Sequence, residues 1–128
     1  MATYGNGNDA PAVAVWGNLH LKSGLAAARS GNLASADAHW REAHEAAQRL
    51  GGDRDDYRLC FGPTNVNIWS VALAVEALDG TEVVKRSERF EIPTHTQRER
   101  SGHHWIDVVR GFLLHGDHDK ATQSLYRA

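Results

Sequence analysis

Apolar side chains recur about every 3.6 residues along most of this chain, and this is the period of an α-helix that buries one face. Glycine-containing turns interrupt the period at residues 30–32, 79–80 and 115–117. Glycine readily takes the left-handed backbone conformation with which many helices end. The pattern predicts an all-α fold in which helices pair as antiparallel hairpins across these three turns.

The same period predicts where the helices lie. We expect them over about residues 13–29, 33–50, 65–78, 81–90, 96–114 and 119–128. The third is apolar on nearly every side, which is typical of a helix packed on both flanks, so we place it in the middle of the domain. Residues 1–12 are rich in glycine, asparagine and alanine and are predicted to form a flexible tail. The 128-residue chain then leaves a single domain over residues 13–128.

Charge and composition exclude several classes of protein. The 14 basic and 16 acidic residues give a net charge of -2, too little positive charge for autonomous nucleic-acid binding. No stretch approaches the roughly 20 apolar residues of a membrane span. The single cysteine, Cys60, has no second cysteine with which to form an internal disulfide. We therefore expect a cytoplasmic protein with no direct nucleic-acid partner and no membrane partner.

The first and last hairpins align with each other when their turn glycines are superposed. With Gly31 over Gly116, Ala36 falls on Ala121, Trp40 on Leu125 and Gly24 on Val109. This order of small, turn and large residues resembles the tetratricopeptide repeat. The middle hairpin departs from it, since Val83 or Val84 stands where alanine is expected. The resemblance implies about three tetratricopeptide-like repeats, stacked as a right-handed α-superhelix.

A second resemblance rests on the middle of the chain. The segments LGGDRDDY at 50–57, FGPTNV at 61–66 and VALAVE at 71–76 are followed by Pro93 and an arginine-rich stretch at 98–100. Together they resemble the C-terminal tetratricopeptide region of helix-turn-helix (Xre-type) transcriptional regulators of actinomycetes. The resemblance implies a sensing or interaction module linked to transcriptional regulation. DNA binding is not carried over, because nothing before Val13 is expected to form the three helices of the DNA-binding domain. The last helix is also shorter than this family usually shows.

Stacked hairpins line a concave groove with the first helix of each pair, and such grooves bind peptides, helices or small molecules. The candidate groove residues are Asn18, Arg29, Asn65, Asn67, Trp69, Ser70, His103 and Arg110. Asparagine suits the recognition of amide or hydroxyl groups, because its side chain both donates and accepts hydrogen bonds. The alternatives are local: the asparagines at 65 and 67 satisfy the first turn of their own helix, the tryptophan packs in the core and the arginines are solvated.

Five of the eight histidines follow residue 94. His103 and Asp107 are one helical turn apart, so a divalent metal would need a third ligand such as His95. The same two groups are also a candidate acid–base pair, but no recognisable motif supplies a nucleophile. The simplest interpretation is that these histidines are exposed polar residues of a helix start and a turn. We therefore expect no catalytic residue, no metal and no cofactor.

Taken together, these observations predict a non-enzymatic binding or sensor module whose groove recognises a peptide, a partner protein or a small-molecule ligand. The alternative is a small helical enzyme or biosynthetic accessory protein that uses the histidine-rich third repeat. We also expect a homodimer through the C-terminal repeat. The last helix presents Leu125 and Tyr126 at the open end of the array, and Val108, Phe112 and Leu113 have no further helix to cover them.

Overall fold

The computed structural model describes residues 10–53 and 61–128, and within these ranges the chain forms α-helices and no strand. The helices are α1 (Ala10–Arg29), α2 (Leu33–Leu50), α3 (Pro63–Glu76), α4 (Gly80–Ser87), α5 (Arg98–His115) and α6 (His118–Leu125). The predicted all-α fold is confirmed. Residues 1–9 of the predicted tail and Cys60 lie outside the described ranges.

Helix α1 begins earlier than the sequence pattern predicts. Residues 10–12, assigned above to the tail, are its first helical residues. Pro11 is compatible with this position because a proline in the first turn lacks only an N–H that would have no partner within the helix. Helix α4 is shorter than expected and ends at Ser87.

The three hairpin turns share one backbone geometry. The residues in the left-handed conformation are Gly31, Leu78 and Gly116, with φ angles of 84°, 59° and 91°. The helix caps that follow them are Asn32, Asp79 and Asp117, whose side chains accept hydrogen bonds from the backbone N–H groups of Ser35, Glu82 and Lys120. Each turn also closes the preceding helix with the same pair of backbone hydrogen bonds. Every hairpin thus joins a left-handed helix end to a helix start capped by asparagine or aspartate.

This common geometry fixes the register of the middle hairpin. Ala36, Val83 and Ala121 occupy equivalent places in the second helix of each pair, and all three are buried. Val83, rather than Val84, therefore takes the alanine position. Its extra volume lies against Gly111 of α5, where an added Cβ atom would come within 2.0 Å of Val83 Cγ1. A glycine on the next helix thus makes room for the valine.

Helix α3 lies in the middle of the domain, as its apolar sequence predicts. Each helix contacts the next one along the chain, and α3 also contacts both α1 and α5. Buried side chains of α3 take part in the core shared with α1 and α2 and in the core shared with α4, α5 and α6. No helix in the described ranges combines the length and apolar character needed to span a bilayer.

The C-terminal helices cover more apolar surface than the sequence suggests. Val108 and Phe112, expected to lack a cover, are buried in a cluster with Val83 of α4 and Ala121 of α6. The short helices α4 and α6 therefore shield this side of α5. Leu125 and Tyr126 are exposed, Tyr126 with 86% of its surface accessible, as is Leu113 of α5.

Candidate functional site

The expected groove residues of α3 lie on opposite sides of that helix. Successive residues of an α-helix are rotated by about 100°, so Asn65 and Trp69 share one side while Asn67 and Ser70 lie across from them. Contacts agree with this division, because Asn65 meets α5 and Trp69 meets α1. Asn67 and Ser70 instead line a cavity with residues of α2 and α4. The structure therefore does not bring all the expected residues to one surface.

The first surface, here called the odd-helix face, consists of matching stripes on α1, α3 and α5. The stripes are residues 18, 22, 25 and 29 of α1, residues 65, 69, 72 and 76 of α3, and residues 100, 103, 107 and 110 of α5. Asn18, Arg29, Asn65, Trp69, His103 and Arg110 of the expected set belong to it. Three side-chain contacts described next connect its neighbouring helices.

Trp69 lies at the centre of the odd-helix face and is only partly buried. The Lys22 Nζ atom stands 5.1 Å from the centre of its ring, a distance typical of a cation–π contact. Two helical turns further along α1 and α3, the Arg29 Nε atom lies 3.4 Å from the Glu76 Oε2 atom. Both contacts link α1 to α3. Trp69 therefore has the Lys22 cation over its ring and the charged Arg29–Glu76 pair further along the face.

Asn65 is 3% exposed, and its side-chain oxygen accepts a hydrogen bond from Arg100 Nη1 of α5. The side chain that was expected to meet a ligand therefore joins two helices. Sequence reasoning considered only partners within its own helix and missed Arg100, although the arginine-rich stretch was visible. Because Asn65 is buried and its side-chain oxygen has this partner, it holds α3 against α5 and contributes few hydrogen bonds to a ligand.

His103 and Arg110, the expected residues of α5 on this face, are exposed and form only loose ion pairs. His103 Nε2 lies 3.9 Å from Glu99 Oε1, and Arg110 Nη1 lies 3.6 Å from Asp107 Oδ1. Burial raises the pKa of Asp107, and the nearby Arg110 guanidinium partly offsets that rise. Within residues 10–53 and 61–128, no three histidine, cysteine or acidic side chains come together to hold a metal. The combination of His95, His103 and Asp107 is therefore not assembled as a ligand set.

A cavity of about 240 Å³ lies between α2, α3 and α4, on the side of α3 away from Trp69. It is lined by Asp37, Trp40, Arg41, Asn67, Ser70, Arg86, Arg89 and Phe90. Sequence reasoning named only Asn67 and Ser70 of these. Residues 37, 40 and 41 were detectable in principle because they share one face of α2, whereas Arg89 and Phe90 follow the end of α4 at Ser87, where helical spacing gives no guidance.

Arg86 forms the rigid end of this cavity, with a side chain only 10% exposed. Its Nη2 atom lies 3.0 Å from Asp37 Oδ2 and its Nε atom 3.1 Å from Glu82 Oε2. Its Nη1 atom donates to the backbone oxygen of Ser70 at 2.9 Å. The guanidinium thus ties α2, α3 and α4 together, and loss of such a buried partner generally destabilises a protein by about 3–5 kcal/mol.

The environment of one of the late histidines differs from the exposed position that the sequence suggested. His104 is 2% exposed, lies among aromatic rings that include Phe90 and Trp105, and its Nδ1 atom has no hydrogen-bond partner in the described structure. Burial lowers its pKa to about 4, so the ring is neutral at neutral pH. The Nδ1 atoms of His20 and His39 are 2.9 Å apart, and burial together with His39 lowers the pKa of His20.

The molecule therefore offers two separate surfaces with different chemistry. The odd-helix face is elongated and carries a partly buried tryptophan with charged neighbours. The cavity is compact and rich in arginine. Comparison of the chain with protein-family models, with curated proteins and with solved structures found no match.

Proposed function

We propose that this chain is a non-enzymatic binding module of tetratricopeptide-like build whose odd-helix face binds a segment of a partner protein. The observation that carries the proposal is the repeated turn, in which a left-handed residue precedes an asparagine or aspartate cap in all three hairpins. Hairpins joined in the same way stack with a similar rotation, and such arrays expose their first helices on a concave side. The contacts of α3 with α1 and α5 support this arrangement.

The chemistry of the odd-helix face favours a protein segment as its ligand. The face crosses three helices, so an extended or helical peptide spans it better than a compact molecule does. Trp69 supplies a partly buried aromatic anchor, and the Arg29–Glu76 pair supplies a polar rim. An aromatic anchor inside a charged rim is the usual composition of a protein-binding hot spot.

The resemblance to the effector region of Xre-type regulators extends the proposal to the class of partner. A module of that kind acts on a transcriptional regulator or on a peptide that such a regulator senses. The partner is therefore sought among regulatory proteins, with the module itself making no contact with DNA. The enzyme alternative has no supporting geometry in the described ranges, because His103 is exposed and paired with Glu99 while His104 is buried and neutral.

Selection of a random peptide library on the purified protein tests the proposal without knowledge of the partner. Enriched peptides are labelled and their affinities measured by fluorescence anisotropy for the unmodified protein, for Trp69→Ala and for the control Arg89→Ala, whose side chain lies on the opposite surface. We expect Trp69→Ala to weaken binding by roughly tenfold or more and the control to leave it unchanged. Failure to enrich any peptide, or equal binding by Trp69→Ala, would contradict the proposal. Circular dichroism confirms that both variants are folded.

A further inference from the structure

The cavity between α2, α3 and α4 has a preorganised inner end. Arg86 is fixed by Asp37, Glu82 and the Ser70 backbone oxygen, at distances of 3.0, 3.1 and 2.9 Å. The Ser70 hydroxyl donates to the Asn67 backbone oxygen at 2.6 Å. These groups belong to three helices, so the shape of the cavity is set by the packing of the domain. Binding of a ligand therefore costs little free energy for ordering the side chains of the cavity wall.

The mouth of the cavity carries positive charge that the protein leaves available. Arg41 and Arg89 both line the cavity and are exposed. In the part of the chain that the structure describes, neither guanidinium forms an ion pair or a side-chain hydrogen bond. Asp37 also lines the cavity, but its charge is engaged by Arg86. The three arginines outnumber the two carboxylates that pair with Arg86, although the whole chain has a net charge of -2.

Two aromatic side chains give the cavity flat apolar walls. The Trp40 Nε1 atom donates to the Val66 backbone oxygen at 2.8 Å, and its ring stacks on His44 with the two planes 18° apart. The Phe90 ring is held against His104, with ring centres 5.4 Å apart. Both rings are therefore fixed in place from outside the cavity, and each leaves a surface that lines it. Flat apolar walls favour a flat apolar ligand.

The size of the cavity restricts the ligand further. Its volume of about 240 Å³ is below the usual range of about 300–1,000 Å³ for drug-sized ligands. One small ring with a single substituent fills such a space.

From these observations we propose that the cavity binds a small carboxylate that carries one aromatic ring. Arg41 and Arg89 bind the carboxylate group, because guanidinium donors match its two oxygens. The ring lies against Trp40 and Phe90, and the side chain of Asn67 lines the same cavity. This site is separate from the odd-helix face and does not depend on the function proposed for that face.

The test uses benzoate and phenylacetate as probes, with benzamide and benzylamine as neutral and cationic counterparts. Binding is followed by nitrogen–proton NMR through the indole N–H resonance of Trp40, which a Trp40→Phe variant assigns. The variants are Arg41→Gln and Arg89→Gln, and the matched control is Arg110→Gln on the odd-helix face. All three arginines are exposed, so the substitutions leave the fold intact. We expect at least one carboxylate to bind, and each cavity variant to raise its Kd by about tenfold, the loss typical of one charged hydrogen bond.

The control Arg110→Gln is expected to bind the carboxylate as the unmodified protein does. The proposal is overturned if neither carboxylate binds at millimolar concentration, or if benzamide binds as tightly as benzoate. Preferential binding of benzylamine would also overturn it, because recognition would then depend on an acidic group and not on the arginines. Equal affinities in Arg41→Gln, Arg89→Gln and Arg110→Gln would place the carboxylate elsewhere on the protein.

Discussion

The contact between Gly111 and Val83 gives the sharpest prediction about how these hairpins pack. Gly111→Ala places a Cβ atom 2.0 Å from Val83 Cγ1 and 2.5 Å from Val83 Cβ, distances far below van der Waals contact for non-bonded carbon atoms. Valine is stiff at χ1, so α4 and α5 must separate. Overpacking of this kind costs about 1–3 kcal/mol, while alanine gains about 1 kcal/mol over glycine in a helix. We expect this clash to cost about 3 kcal/mol, the upper end of that range, so Gly111→Ala should lower the free energy of unfolding by about 2 kcal/mol.

Val83→Ala alone is expected to cost about 2 kcal/mol, because it removes two buried methyl groups. Together, the two substitutions give the middle hairpin the alanine that Ala36 and Ala121 provide in the others, and the new methyl group of residue 111 occupies the vacated space. The double variant is therefore predicted to be at least about 2 kcal/mol more stable than the sum of the single losses implies.

Urea unfolding followed by tryptophan fluorescence measures all three variants. Gly102→Ala is the matched control, since it lies in the same helix and an added Cβ atom there would meet nothing within 4 Å. It is expected to raise the free energy of unfolding by up to about 1 kcal/mol. Losses that simply add in the double variant, or a Gly111→Ala protein as stable as the Gly102→Ala control, would refute the packing described here.

Three further predictions concern other parts of the molecule. Burial lowers the pKa of His104 from 6.5 to about 4, so the folded state resists protonation. The free energy of unfolding therefore has its full value above pH 6.5 and falls by about 3 kcal/mol toward pH 4. Urea unfolding should show this loss in the unmodified protein, and an equal loss in His104→Leu would contradict it. Leu78 is 70% exposed with φ of 59°, so Leu78→Gly should raise the free energy of unfolding by about 0.5–1 kcal/mol, and a lower melting temperature would show that the leucine side chain contributes packing. The homodimer expected from the sequence stays a prediction that rests on exposed Leu125: light scattering should give about twice the chain mass of 14.1 kDa, with Leu125→Asp monomeric, and a monomeric unmodified chain would show that the prediction is wrong.

The helices and two of the three hairpin turns could be predicted from the sequence because their signals are local. Apolar period and turn glycines depend on neighbouring residues, and Gly31 and Gly116 do take the left-handed conformation. The middle turn was placed at residues 79–80, whereas Leu78 is the left-handed residue there. Leucine gives no such signal, because its Cβ atom disfavours that conformation and only the surrounding packing imposes it.

The candidate site was less predictable because it depends on which side of each helix meets which neighbour. Asn65, Asn67 and Ser70 are close in sequence, yet the rotation of the helix sends the first to α5 and the other two to the cavity. The ion pair between Arg86 and Asp37 joins residues far apart in the chain, and neither residue belongs to a recognisable motif. Burial of His104 also depends on Phe90, which arrives from a different helix pair.

The most direct test of the proposed binding module is to map where a selected peptide touches the protein. Backbone amide NMR shifts are recorded for the described residues while a library-enriched peptide is titrated in. We predict that the largest shifts cluster on α1, α3 and α5 around Lys22, Trp69 and Glu76, with small changes at the cavity residues Arg41 and Arg89. Shifts concentrated on α2, α4 and α6 would contradict the assignment of the odd-helix face as the binding surface.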